Sequence, residues 1–141
     1  TVKGVNSRLD EMQAALLTVK LKDLDRATVQ RREIAGFYCK NIKNPYIQIP
    51  SLGEKDHVYH LFVVRSEFRD ELSTHLQKCD VQTLIHYPIP PHKQDAYSEF
   101  NHLNLPVTEK MHNEIISIPI GPEMSKSEVS LVVDSCNSFR K

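Results

Sequence analysis

His57-Val58-Tyr59-His60-Leu61-Phe62-Val63-Val64-Arg65-Ser66-Glu67-Phe68-Arg69-Asp70-Glu71-Leu72-Ser73-Thr74-His75-Leu76-Gln77-Lys78-Cys79 changes its hydrophobic rhythm halfway along. Up to Arg65 it is rich in β-branched and aromatic residues, which suit a half-buried strand. Beyond Ser66, whose hydroxyl can cap a helix, Phe68, Leu72, Leu76 and Cys79 fall on one helical face. A strand feeding directly into an amphipathic helix predicts a sheet with helices packed on it. The flanking sequence repeats the pattern. Tyr46-Ile47-Gln48-Ile49, between Pro45 and Pro50, is a short strand candidate; Val81 to Ile85 is a third strand, and Ile115 to Ile118, ended by Pro119, a fourth. A short helix is expected from His92 to Phe100, and another from Pro106, which suits a first helical turn, to about Asn113. Ser125-x-x-Glu128 is a capping box, and Val129, Val132, Val133, Cys136 and Phe139 follow it at helical spacing. The sum is an α+β domain: a small, mainly antiparallel sheet covered by helices.

A long helix leads the domain. From about Arg8 to about Lys40 there is no proline and only one glycine, Gly36, giving a span of roughly 50 Å. Its first half carries two apolar stripes. Leu9, Met12, Leu16 and Val19 form one, and Ala14, Leu17, Leu21 and Leu24 the other, roughly 100–140° away at 100° per residue. A helix wetted on one side needs one stripe. Two imply cover by two bodies, and predict an unusually apolar exposed surface where one cover is lacking.

Composition narrows the function classes. At 141 residues the chain is one domain with a real core, a long helix over residues 1–40 and an α/β body over 41–141. Its 18 basic and 18 acidic residues balance, and no basic block provides a footprint for nucleic acid or an anionic membrane. No apolar run approaches the roughly 20 residues of a membrane helix, and no signal peptide is visible. Cys39, Cys79 and Cys136 are odd in number and widely spaced, with no CxxC, which fits free thiols in a reducing cytoplasm.

Two segments could carry chemistry. In Leu84-Ile85-His86-Tyr87-Pro88-Ile89-Pro90-Pro91-His92 the prolines hold the backbone extended, so two imidazoles and a phenol sit on a stiff loop at a strand end. A zinc site from His57, His60, His86 and His92 is disfavoured: His57 and His60 point to opposite faces of a strand, and no cysteine lies at ligand spacing. There is no G-x-S-x-G, no cysteine in a reactive context and no glycine-rich phosphate loop, so no catalytic apparatus is complete. The second segment is Lys3-Gly4-Val5-Asn6-Ser7-Arg8-Leu9-Asp10. Asn6 or Ser7 can cap the long helix, or Asn6, Ser7 and Arg8 can join free helix N–H groups in binding an anion.

Gly4-Val5-Asn6-Ser7-Arg8-Leu9-Asp10-Glu11-Met12-Gln13-Ala14-Ala15 strongly resembles the G-x-N-x-R-(L/M)-D-E-x-Q-A-A segment of the DegT-type sugar-nucleotide aminotransferases, pyridoxal-phosphate enzymes of the aspartate-aminotransferase (type I) fold. Lys20-Leu21-x-x-Leu24-Asp25, Arg31-Arg32-x-Ile34-Ala35-x-x-Tyr38, His57 to Arg65 and Arg69-Asp70-x-Leu72 are similar to the same family. Ile85-His86-Tyr87-Pro88-Ile89-Pro90-Pro91-His92-x-Gln94-x-Ala96-Tyr97 resembles the branch acting on dTDP-3-oxo-6-deoxyhexoses; Leu105-Pro106-x-x-Glu109 and Ile116 to Ser125 complete the match. The resemblance implies the small C-terminal domain of such an enzyme, without the large cofactor-binding domain, its cofactor-carrying lysine or the aspartate that pairs with the pyridine nitrogen. No residue here is assigned a catalytic role, and the isolated chain is expected to be inactive. The whole enzyme would move an amino group from an amino acid, expected to be glutamate, to a nucleotide-linked keto sugar in polysaccharide, lipopolysaccharide or deoxysugar biosynthesis. It would act as a cytoplasmic homodimer.

The resemblance also assigns residues. Asn6, with Arg8 beside it, would donate to the cofactor phosphate of the neighbouring subunit. His86, Tyr87 and His92 would lie near the sugar-nucleotide pocket, although Tyr87 and His92 could equally brace the loop against the long helix. The alternative function is a non-catalytic module that binds a sugar nucleotide or dimerises. Two departures from the family pattern stand out. Cys79-Asp80 replaces a glycine-containing turn before Val81, a less favourable helix stop, and Ala27 occupies a place often held by tryptophan.

Overall fold

The computed structural model describes residues 2–53 and 56–141. The expected long helix is two helices, α1 (Glu11–Leu21) and α2 (Leu24–Asn41). The break falls at Lys22-Asp23, where Asp23 leaves the helical region (φ −110°, ψ 4°). Its carboxylate accepts from the Arg26 guanidinium, Nε to Oδ1 at 2.6 Å. Asp23 makes no capping bond to the α2 backbone, and α1 has no buried residue whose packing would hold the two segments in line. Nor do Asn6 or Ser7 cap α1. Leu9 lies at φ 74°, and Asp10 is the cap, its Oδ1 accepting from the Gln13 N–H at 2.9 Å.

The sheet core is β1 (Phe62–Arg65) paired antiparallel with β2 (Ile115–Ile118), with Phe62 opposite Ile118 and Val64 opposite Ile116. The other two strand candidates shrink to single bridges on the outer edges, Gln48 with Arg65 and Leu84 with Ser117. Pro45 and Pro50 remove donors around the first, and the proline loop follows the second at once, so neither can extend a ladder. The order of pairing is antiparallel as expected, in a shorter sheet.

One face of the sheet, Phe62, Val64, Ile116 and Ile118, is buried with α2, α3 (Arg69–Lys78) and α5 (Lys126–Ser138). Tyr38 of α2 packs edge-on to Phe62, ring centroids 5.2 Å apart, and its hydroxyl donates to the Pro119 carbonyl at 2.8 Å. Leu72 and Leu76 of α3, and Val129, Val132, Val133, Cys136 and Phe139 at the end of the chain, are buried as their spacing predicts. The capping box of α5 has both bonds. Ser66 does not cap α3. It is buried two residues too early, its Oγ accepting from the Phe68 N–H at 3.1 Å, and the helix starts at Arg69. The expected short helix after the proline loop is two 3₁₀ turns, Pro91–Lys93 and Asp95–Phe100, and α4 (Pro106–Glu114) has its proline in the first turn.

α3 ends without a glycine. The Val81 N–H reaches the Leu76 carbonyl at 2.9 Å and the Asp80 N–H that of Gln77 at 3.1 Å, the paired bonds of a Schellman stop. The left-handed residue this stop requires is Asp80, at φ 59°. Both stripes of α1 are open: Met12 is 78% exposed, and Leu16, Leu17, Val19 and Leu21 are exposed with it.

Candidate functional site

The proline loop is held beside β2, at the outer edge of the sheet, and three attachments fix it. Ser117 of β2 exchanges both backbone hydrogen bonds with Leu84, at 2.8 and 3.2 Å. The Ser117 hydroxyl lies 3.0 Å from His86 Nδ1. The Tyr87 carbonyl then meets Nδ1 of His112 on α4. His86 and Tyr87, joined by a cis peptide bond, stand edge to face with centroids 5.6 Å apart. His86 is half-buried at the rim of a cavity of about 390 Å³ that is also lined by His60, Gln82, Thr83 and Ser117. The Tyr87 side chain is exposed.

His92 occupies a different position. It is buried, and its Nε2 lies 2.9 Å from Glu109 Oε1 on α4, which also accepts from the Leu105 N–H at 3.1 Å. The hydrogen bond from His92, then the Leu105 N–H and the nearby Lys93 ammonium, hold the Glu109 carboxyl below its ordinary range. The loop is therefore braced on α4, whereas the sequence pointed to the long helix. Behind it, Arg65 of β1 binds Glu114 Oε2 at 2.6 Å, the guanidinium keeping that carboxyl low as well.

The second segment is connected to the first. Lys3 pairs with Glu99 and lies 5.0 Å from the centroid of the Tyr97 ring, in the 3₁₀ turn that follows the proline loop. Within the segment, Arg8 Nε donates to Asn6 Oδ1 at 2.9 Å. This turns the amide so that its N–H donors, with the terminal guanidinium N–H groups, lack protein partners among the described residues. A carboxamide and a guanidinium presenting open donors side by side fit an anion. Among the described residues no three His, Cys, Asp or Glu side chains converge as a metal site would need, and no helix is long and apolar enough to cross a membrane.

Sequence reasoning missed Ser117, His112 and Lys3 as partners of the site. Glu109 had a signal, since Leu105-Pro106-x-x-Glu109 stands out as a motif, but its bond to His92 was not legible. Ser117 also lay inside a quoted motif, Ile116 to Ser125, but its bond to His86 was no more legible than that of Glu109 to His92.

Residues 1–137 match the model of the DegT/DnrJ/EryC1/StrS aminotransferase family. Over 138 residues the chain is 52% identical to a dTDP-3-amino-3,6-dideoxy-alpha-D-galactopyranose transaminase of Aneurinibacillus thermoaerophilus, covering 97% of this chain and 38% of the relative. Among solved structures, Streptomyces venezuelae DesV superposes with a TM-score of 0.84 at 39% identity, over 96% of this chain and 38% of its own. Bacillus subtilis NtdA, solved with its cofactor PMP bound, gives 0.81 at 30% identity, over 94% and 33%. The chain thus spans between 33% and 38% of the length of these proteins.

Proposed function

The chain belongs to the DegT/DnrJ/EryC1/StrS aminotransferase family, and on that premise we propose that it is the C-terminal part of a pyridoxal-phosphate-dependent, homodimeric aminotransferase that aminates a nucleotide-linked 3-keto sugar. The observation that carries this reading is the unbroken likeness to a dTDP-sugar transaminase along almost the whole chain. Pyridoxal phosphate, when bound, supplies an electron sink for moving an amino group between an amino acid and a keto sugar. The residues of this chain bind and orient. Asn6 and Arg8 direct their open donors at the cofactor phosphate of the neighbouring subunit. His86 offers Nε2, and Tyr87 its phenol, to polar groups of the sugar nucleotide. His92 holds the loop that carries them, through Glu109. Three free thiols suit a cytoplasmic enzyme. The exposed apolar surface of α1 favours a second reading, a non-catalytic module that dimerises or binds a sugar nucleotide.

The test expresses the whole gene product and this chain separately, each with pyridoxal phosphate, glutamate and a dTDP-3-oxo-6-deoxyhexose. The whole protein is expected to release 2-oxoglutarate and the amino sugar, and this chain alone to do neither and to retain no cofactor absorbance after dialysis. A whole protein that binds dTDP-sugars yet transfers no amino group to dTDP- or UDP-linked keto sugars overturns the first reading in favour of the second.

A further inference from the structure

We propose that Ser117 is a positioning residue that sets the orientation of His86 toward the nucleotide sugar, an inference that rests on the substrate role given to His86 above. Ser117 is 6% exposed on the middle of β2, in a strand whose other residues are all isoleucine. Its neighbours Ile116 and Ile118 point into the core, so the alternation of the strand turns the Ser117 side chain to the opposite face, under the proline loop. A polar side chain buried there needs a partner, and the partner is Nδ1 of His86 at 3.0 Å. The same residue ties down the backbone two residues earlier through both of its hydrogen bonds with Leu84. One strand residue therefore fixes the base of the segment and the ring it carries.

The bond has a chemical consequence. With Nδ1 engaged by the hydroxyl, Nε2 is the nitrogen left for a ligand, and it has no protein partner among the described residues. The ring cannot flip without leaving the Ser117 hydroxyl buried and unbonded. Packing the His86 ring edge-on against Tyr87 removes a further rotational freedom. Preorganisation of this kind lowers the cost of ordering a side chain when the ligand arrives.

The experiment uses the full-length aminotransferase with dTDP-3-amino-3,6-dideoxy-α-D-galactose and 2-oxoglutarate as the substrate pair, and compares Ser117→Ala, Ser117→Thr, His86→Ala and the double variant Ser117→Ala/His86→Ala. Ser117→Ala is expected to raise KM for the dTDP-sugar about tenfold, the factor that loss of one hydrogen bond of about 1.4 kcal/mol gives. The half-reaction with glutamate is expected to stay within twofold. Ser117→Thr, which keeps the hydroxyl, restores KM, and the double variant is no worse than His86→Ala alone. If Ser117→Ala folds poorly, Ser117→Cys, which keeps the volume, takes its place. A costly His86→Ala with a silent Ser117→Ala overturns the inference and leaves the substrate role of His86 standing, and so does a Ser117→Ala loss that persists undiminished in the His86→Ala background. Unchanged KM in His86→Ala itself refutes the substrate role and the inference with it.

Discussion

Replacing Asp80 by glycine is expected to stabilise the protein by about 0.8 kcal/mol. The bonds from Val81 to Leu76 and from Asp80 to Gln77 force the residue between them into the left-handed region, and Asp80 is there at φ 59°. For a residue with a Cβ that conformation costs about 1 kcal/mol, the low end of the range, because aspartate tolerates it better than most. A carboxylate just past a helix C-terminus also faces the negative end of the dipole, for about 0.4 kcal/mol more. Glycine's extra freedom in the unfolded chain returns about 0.6 kcal/mol. The difference corresponds to a rise in Tm of roughly 2–4 °C for a chain of this size. Thermal and urea denaturation followed by circular dichroism measures it. Asp80→Asn isolates the charge and should recover only the smaller part, whereas Asp80→Ala keeps the Cβ and should be no more stable than the parent. A glycine variant as stable as the parent or less so would refute the reasoning, because it would mean the Schellman stop is not under strain.

Four further outcomes are expected. Glu114 is held below the ordinary carboxylate value of 4.5 first by its hydrogen bond from Arg65, with Lys110 adding; its contribution to stability is present above that value and lost as the pH falls through the lower folded one, so Glu114→Gln should flatten the acid limb of a stability–pH curve. Tyr38→Phe removes the bond to the Pro119 carbonyl and should lower the urea midpoint by about 1 kcal/mol equivalent, while an unchanged midpoint would mean that carbonyl finds another donor. Burial pushes the Cys136 thiol up to about 12, so a thiol reagent at pH 8 should label it last of the three cysteines, and equal labelling rates would contradict the packing of α5. His92→Leu breaks the bond to Glu109, and limited proteolysis between residues 86 and 94 should speed up relative to the rest of the chain.

What the sequence determined by itself was whatever is settled within a few residues. Ser125 and Glu128 close a box three residues apart, Pro106 is compatible only with the opening turn of α4, and the spacing of Val129, Val132, Val133 and Cys136 marks the buried side of α5 because a helix repeats every 3.6 residues. The two apolar stripes of α1 were legible for the same reason, but only one was expected to lack cover, and both are open. The α+β class follows from where the apolar runs lie, whereas the pairing of β1 with β2 is visible only in the fold. The departure at Cys79-Asp80 was visible too, as a helix stop lacking its glycine.

Only the tertiary structure decided where these elements end and what the polar residues do. Two strand candidates became single bridges because a strand lasts only as long as its neighbour offers hydrogen bonds, and prolines stand beside both. The long helix broke at Asp23, whose carboxylate is held by Arg26, where no packing on α1 opposed the break. The site depends on partners far apart in the chain, Ser117 to His86 across 31 residues and His92 to Glu109 across 17. Side-chain bonds of that kind carry no periodicity and no fixed spacing, since they exist only after β2 and α4 have been folded against the loop. The sequence could nominate His86, Tyr87 and His92. The fold separated them, setting His86 and Tyr87 at the open surface of the loop and His92 in the brace behind it.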